Sequence, residues 1–160
     1  MKYILPVILS AILLLLPQTL YCSDSLNVRY IVYDDEGGHT FRQKPVDLPP
    51  YASLFTRVNT VLSALFSLDM PDIYPYPEGV QVLRLHYIRG HLTVTLSDEI
   101  AAFGGGTMLE RIYLGQILKN LLYIDGVDVV SIKANTPEGL SVREGTCWSE
   151  LLYGIILQSE

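Results

Sequence analysis

The spacing of apolar positions changes along the chain, and each change marks an element. From Asn27 the run NVRYIVYDD sets Val28, Tyr30 and Val32 against Arg29, Ile31 and Tyr33, the two-residue period of a strand. DDEGG then reads as a turn, and residues 39–50, HTFRQKPVDLPP, as an extended return segment closed by two prolines that suit the approach to a helix. Over residues 51–68 the period lengthens. Leu54, Phe55, Val58, Leu62, Leu65 and Phe66 fall on one helical face, with Arg57, Asn59, Ser63 and Ser67 on the other. Met70-Pro71 and YPYPEG end that helix, because proline has no N–H to donate and pushes its predecessor out of the α region. The proline-tyrosine alternation reads as a stiff connecting loop, with a ligand for a proline-recognition module as the alternative.

Period two returns in residues 81–97, QVLRLHYIRGHLTVTLS, as two runs around Arg89-Gly90, which predicts a hairpin with glycine supplying the positive φ. If Ile88 pairs with His91, then Leu83, Leu85, Tyr87, Leu92, Val94 and Leu96 point inward. Arg84, His86, Ile88, His91, Thr93 and Thr95 then share the outward face. Next comes FGGGTMLERIYLGQ, where Thr107 and Glu110 form the T-x-x-E pattern of a capping box. The helix it opens carries Leu109, Ile112, Tyr113, Ile117, Leu118, Leu121 and Leu122 toward the core, and Arg111, Gln116, Lys119 and Asn120 outside. Asp125-Gly126 stops it, and VDVVSI reads as a final strand. The order βαββαβ predicts a small α+β two-layer sandwich, with two helices on one face of a mostly antiparallel sheet.

Length and charge narrow the function classes. A chain of 160 residues suits one principal core. A net charge of −6, with no cluster of Lys and Arg, excludes nucleic acid as a partner, since phosphate neutralisation requires a basic face. At the N-terminus, Lys2 precedes an uncharged stretch whose most apolar part, residues 4–16, matches the h-region of a secretory signal and is broken by Pro17-Gln18. As a helix those residues reach about 20 Å, short of a hydrocarbon core of roughly 30 Å. Residues 1–22 therefore predict a signal peptide and an extracytoplasmic protein, with an uncleaved anchor as the alternative if the span extends to Leu20. Cys22 raises lipoprotein-type acylation, but Thr19-Leu20-Tyr21 is a poor context for it; ordinary cleavage after Cys22 or Ser23 leaves Cys147 as a single thiol, expected to be buried.

The triple glycine before the second helix invites a phosphate-binding reading, and the neighbouring residues do not support it. A Walker loop places Lys and Ser/Thr after its last glycine, whereas Gly106 is followed by Thr107-Met108. A dinucleotide loop needs a third glycine where Leu109 stands. The preceding strand is expected to belong to an antiparallel hairpin and not to a parallel βαβ unit, so the loop reads as the start of a helix, with at most a short anion contact there. DDEGG lacks the alternating acidic spacing of a calcium loop. His86 and His91 share a face without a third ligand, so no metal is expected. Two alternatives to a binding module are an envelope hydrolase using Asp98 and Glu99, and a small-ligand binder on the open face bearing Arg84, His86 and His91. Adjacent strand residues diverge, which disfavours the first, and a flat face encloses little of a ligand, which disfavours the second. Neither a catalytic residue nor a cofactor is assigned.

Residues 77–133 resemble the GerMN domain of sporulation and spore germination proteins. The resemblance rests on the strand end Leu96-Ser97, the glycine loop and Glu110-Arg111 helix start within residues 104–111, and the turn Asp125-Gly126-Val127. VRYIVYDDEGG and RVNTVLSALFSL resemble the family's opening strand and first helix, extending the likeness to residues 27–134. Asp69-Met70-Pro71 departs from the Gly-Pro element frequent in that family. Residues 135–160, with Trp148 and LLYGIIL, form a C-terminal extension outside the pattern, expected to pack on the domain or to present an apolar patch. GerMN domains are similar to ring-building modules of envelope assemblies. The resemblance therefore implies a non-enzymatic interaction domain in the cell envelope, with envelope proteins or peptidoglycan as partners, membrane contact only through the N-terminal segment, and the capacity to form an oligomer.

Overall fold

The alternation after Asn27 becomes β1, Ser25–Tyr33, in the computed structural model, which describes residues 25–33, 38–102 and 106–135. Val28, Tyr30 and Val32 are buried and the intervening residues are half-buried or exposed. The return segment is a full strand, β2, His39–Asp47, pairing antiparallel with β1 so that Tyr30 faces Arg42. The observed order is thus ββαββαβ, one strand more than the sequence predicts. Residues 39–45 are exposed, so β2 lacks the apolar alternation by which a half-buried strand is recognised.

Helix α1, Leu54–Phe66, begins where the Ser53 hydroxyl accepts the Thr56 N–H (3.1 Å), satisfying a donor that the helix leaves free. It buries Val58, Val61, Leu62 and Leu65, while Phe55, expected in the core, is 46% exposed on the first turn. Strands β3, Val82–Ile88, and β4, His91–Leu96, form the predicted hairpin with Ile88 opposite His91. An irregularity between Val82 and Arg84 shifts the register, and Leu83, expected inside, is half-exposed there. After a 3₁₀ turn, Asp98–Ala102, helix α2, Gly106–Leu122, crosses to β5, Val129–Ala134.

Strand β5 pairs with β4 in parallel. The result is two sheets, β1–β2 and β3–β4–β5, in which two of the three strand pairings are antiparallel. Strand β4, helix α2 and β5 make a parallel βαβ crossover, contrary to the expectation that the glycine loop lies outside such a unit; the hairpin hid this because β4 pairs on both edges. Both helices pack into one α+β core containing Leu62, Leu65, Leu92, Leu96, Leu114 and Ile132. Glycine loop residues 103–105, the DDEG portion of the first turn, residues 1–24 with Cys22, residues 136–160 with Cys147, and the Thr107 side chain of the capping box lie outside the described structure.

The polar face assigned to α2 requires correction. Gln116 and Asn120, expected outside, are 6% and 2% exposed. Asn120 Oδ1 accepts the Arg29 N–H (2.7 Å), and its Nδ2 donates to the Arg29 carbonyl (2.7 Å) and to the Gln116 carbonyl (2.8 Å). Gln116 Oε1 accepts the Ile31 N–H (2.9 Å), and the Asp72 carbonyl accepts that of Tyr33 (2.9 Å). Three alternate N–H groups of β1, those of Arg29, Ile31 and Tyr33, are therefore satisfied by α2 and the loop before β3, as a neighbouring strand would satisfy them. Lys119 lies 3.8 Å from the Phe41 ring centre and Arg29 3.5 Å from that of Tyr123, clasping the ribbon and α2 together.

The proline-tyrosine loop is pinned from inside. Tyr76 is buried, its hydroxyl donating to the Tyr113 carbonyl (3.0 Å) while the Tyr113 hydroxyl donates to the Pro75 carbonyl (2.7 Å). Burial raises the Tyr76 pKa well above its ordinary value, and the neighbouring Tyr113 adds to the shift. A raised folded-state pKa means that the unfolded chain loses its proton first. This contribution is complete below about pH 10 and is lost as the pH rises from there through the folded value. Urea midpoints should accordingly hold to about pH 9 and fall beyond about pH 10, and Tyr76→Phe should flatten the alkaline fall. An equally steep fall in the variant would assign it to other groups.

Candidate functional site

On β4, Leu92, Val94 and Leu96 are buried, which turns His91, Thr93 and Thr95 to the other face of the sheet. Register with both neighbours then builds three rows across this outer face. The first is Arg84, Thr95, Lys133; the second His86, Thr93, Ser131; the third Ile88, His91, Val129. Within the rows, the β3 and β5 side chains are exposed except Ser131, and Thr93 and Thr95 are half-buried, so no described residue covers the face. Ile88 and Val129 are 56% and 44% exposed, giving the third row an apolar rim. His91 Nε2 and Ser131 Oγ lie 2.8 Å apart, joining β4 to β5.

The six outward positions expected from the hairpin all lie on this face. Val129, Ser131 and Lys133 complete it from β5; their own alternation with buried Val130 and Ile132 was the available signal, but not the parallel register that sets them beside β4. His86 and His91 occupy different rows, and among the described residues no three His, Cys, Asp or Glu side chains are grouped to hold a metal ion.

Asp98 and Glu99 sit in the 3₁₀ turn, both exposed. The Asp98 side chain lies within hydrogen-bonding reach of the Glu99 carboxylate, closer than the roughly 5 Å or more at which a carboxylate pair flanks a glycosidic bond. The Ser97 hydroxyl, and then the Glu99 backbone, hydrogen-bond the Glu99 carboxylate and lower its pKa, the opposite of what a general acid needs at neutral pH. An open depression of about 390 Å3 lies between α1 and β3, lined by Asn59, Ser63, Ser67, Gln81 and apolar neighbours, without an ionisable group. It offers hydrogen bonds and no acid–base chemistry. Helix α2 starts at Gly106 with φ 77°, a left-handed residue between the loop and the helix.

A family model described as Germane, sporulation and spore germination, matches residues 21–136. Among solved structures, the tandem GerMN domains of the sporulation protein GerM from Bacillus subtilis are similar to this chain, with a TM-score of 0.56 and 15% identity over 72% of this chain and 40% of that one. The chain thus spans under half of the tandem structure. A putative lipoprotein from Clostridium perfringens aligns with a TM-score of 0.46 and 14% identity, over 71% of this chain and 76% of that one. No curated protein matches.

Proposed function

Given that the chain belongs to the Germane family of sporulation and spore germination proteins, we propose that it is a non-enzymatic module that binds other proteins of the cell envelope, outside the cytoplasmic membrane. The observation that carries this reading is the outer face of the β3–β4–β5 sheet, a polar surface backed by the core that no described residue covers. The exposure of Asp98 and Glu99 and the lowered Glu99 pKa support a reading without hydrolytic chemistry. The signal-like N-terminal run supports export.

A photo-crosslinker placed at Thr93, in the middle of the face, is expected to capture a discrete envelope protein in intact cells. The same group at Asp69, beyond the end of α1, should not capture it. Attachment to glycan strands alone would replace a protein partner with peptidoglycan. Turnover of purified cell wall that disappears in the Asp98→Ala/Glu99→Ala variant would overturn the non-enzymatic reading.

A further inference from the structure

On the reading of this sheet as an interaction surface, its charge defines what it binds. The chain carries 17 acidic residues against 11 Lys and Arg, yet the three outward rows contain no carboxylate. They hold instead Arg84, Lys133, His86 and His91, the last two being two of the chain's three histidines. Among the described residues neither Arg84 nor Lys133 makes an ion pair. The carboxylates nearest in sequence to β4 and β5, Asp98 and Asp128, stand beyond the strand ends.

Arg84 and Lys133 flank Thr95, two strand spacings or roughly 10 Å apart, so a carboxylate seated over the threonine hydroxyl lies between two cations. The Ile88–Val129 rim is four residues along the strands, roughly 13 Å from that row. An extended chain places side chains i and i+4 on one face at the same separation. We propose that this face docks an acidic segment of another protein, one that sets Asp or Glu over the Arg84–Thr95–Lys133 row and an apolar side chain on the Ile88–Val129 rim. A phosphate polymer would satisfy the cations and leave the rim without a counterpart. A second copy of this chain is the other competitor.

The test uses the full chain, with poly-L-glutamate and a Glu/Tyr copolymer as probes and backbone amide shifts as the readout. Both polymers should perturb amides of β3, β4 and β5 around the three rows, the copolymer binding more tightly, and binding should weaken as salt is raised. Arg84→Glu/Lys133→Glu should reduce affinity at least about tenfold. Arg42→Glu/Lys44→Glu, the same charge change on exposed β2, should leave it unaltered. Circular dichroism establishes that each variant is folded, and Arg84→Gln/Lys133→Gln repeats the test if charge reversal disturbs the sheet.

Equal losses in both reversal variants, absence of shifts on this face, or tighter binding of inorganic polyphosphate than of the copolymer would each overturn the proposal. So would a concentration-dependent dimer abolished by Arg84→Glu/Lys133→Glu. If the Thr93 crosslink to an envelope protein survives that double variant, the interaction module stands and its acidic partner does not.

Discussion

Replacing Asn120 by leucine is expected to destabilise the domain by about 3 kcal/mol, because a single side chain satisfies both backbone groups of Arg29. Leucine fills a similar volume on α2 but leaves an N–H and a carbonyl without partners against the helix. Each stranded group costs about 1–3 kcal/mol, and added apolar burial returns only part of that. Asn120→Asp is the sharper variant. It retains an acceptor for the Arg29 N–H and replaces the amide donor with an oxygen facing the carbonyls of Arg29 and Gln116, so a near-isosteric change should be at least as damaging. Gln116→Leu removes one acceptor and should cost about half as much. Urea unfolding of the three variants gives the order. Hydrogen exchange locates it, since the Arg29 and Ile31 amides should lose protection before the core of α1 does. A loss below about 1 kcal/mol for Asn120→Leu, with Arg29 still protected, would show that water replaces the side chain there.

The same two residues show why part of the fold was legible in the sequence and part was not. Local periods identified β1, both helices, the β3–β4 hairpin and the last strand, because each buries one face against the core and apolar spacing records that burial directly. Gln116 and Asn120 break the rule in the informative direction. They face inward because what lies opposite is the polar edge of β1, and helical periodicity assigns any polar residue to solvent. Strand β2 escaped for the complementary reason: pairing with β1 makes it a strand, and its exposed side chains carry no imprint of a core. Leu83 shows the limit of strict alternation, since one irregularity reverses the facing of a residue. At the candidate site, the hairpin contributions followed from a two-residue turn that locks the register. The β5 contributions depended on a parallel pairing set by a long crossover, information that resides in tertiary packing and not in any short stretch.

That parallel strand is joined to the hairpin at one glycine, and Gly90→Ala is expected to cost about 2–3 kcal/mol. Arg89 and Gly90 have φ of 48° and 85°, the pair of positive angles that lets a two-residue turn follow the twist of β3 and β4. An alanine held there costs about 1–2 kcal/mol in backbone strain. A second cost arises because a Cβ at Gly90 would collide with Oδ2 of Asp128. The Asp128 backbone cannot simply retreat: its N–H donates to the Gly90 carbonyl (2.8 Å), as does that of Val129 (3.1 Å). Only the aspartate side chain can move without breaking the junction. Asp128→Ala alone, at an exposed position, should change stability by less than about 0.5 kcal/mol. In the Gly90→Ala background the same change should recover the steric part, about 1 kcal/mol, and leave the strain. Additive effects in this cycle would mean that Asp128 turns aside freely and strain alone sets the cost. The junction also starts the strand that contributes Val129, Ser131 and Lys133 to the outer face, so Gly90→Ala should shift the β5 amides even under conditions where the domain remains folded. A loss of stability with those amides unmoved would confine the strain to the turn and separate it from the face.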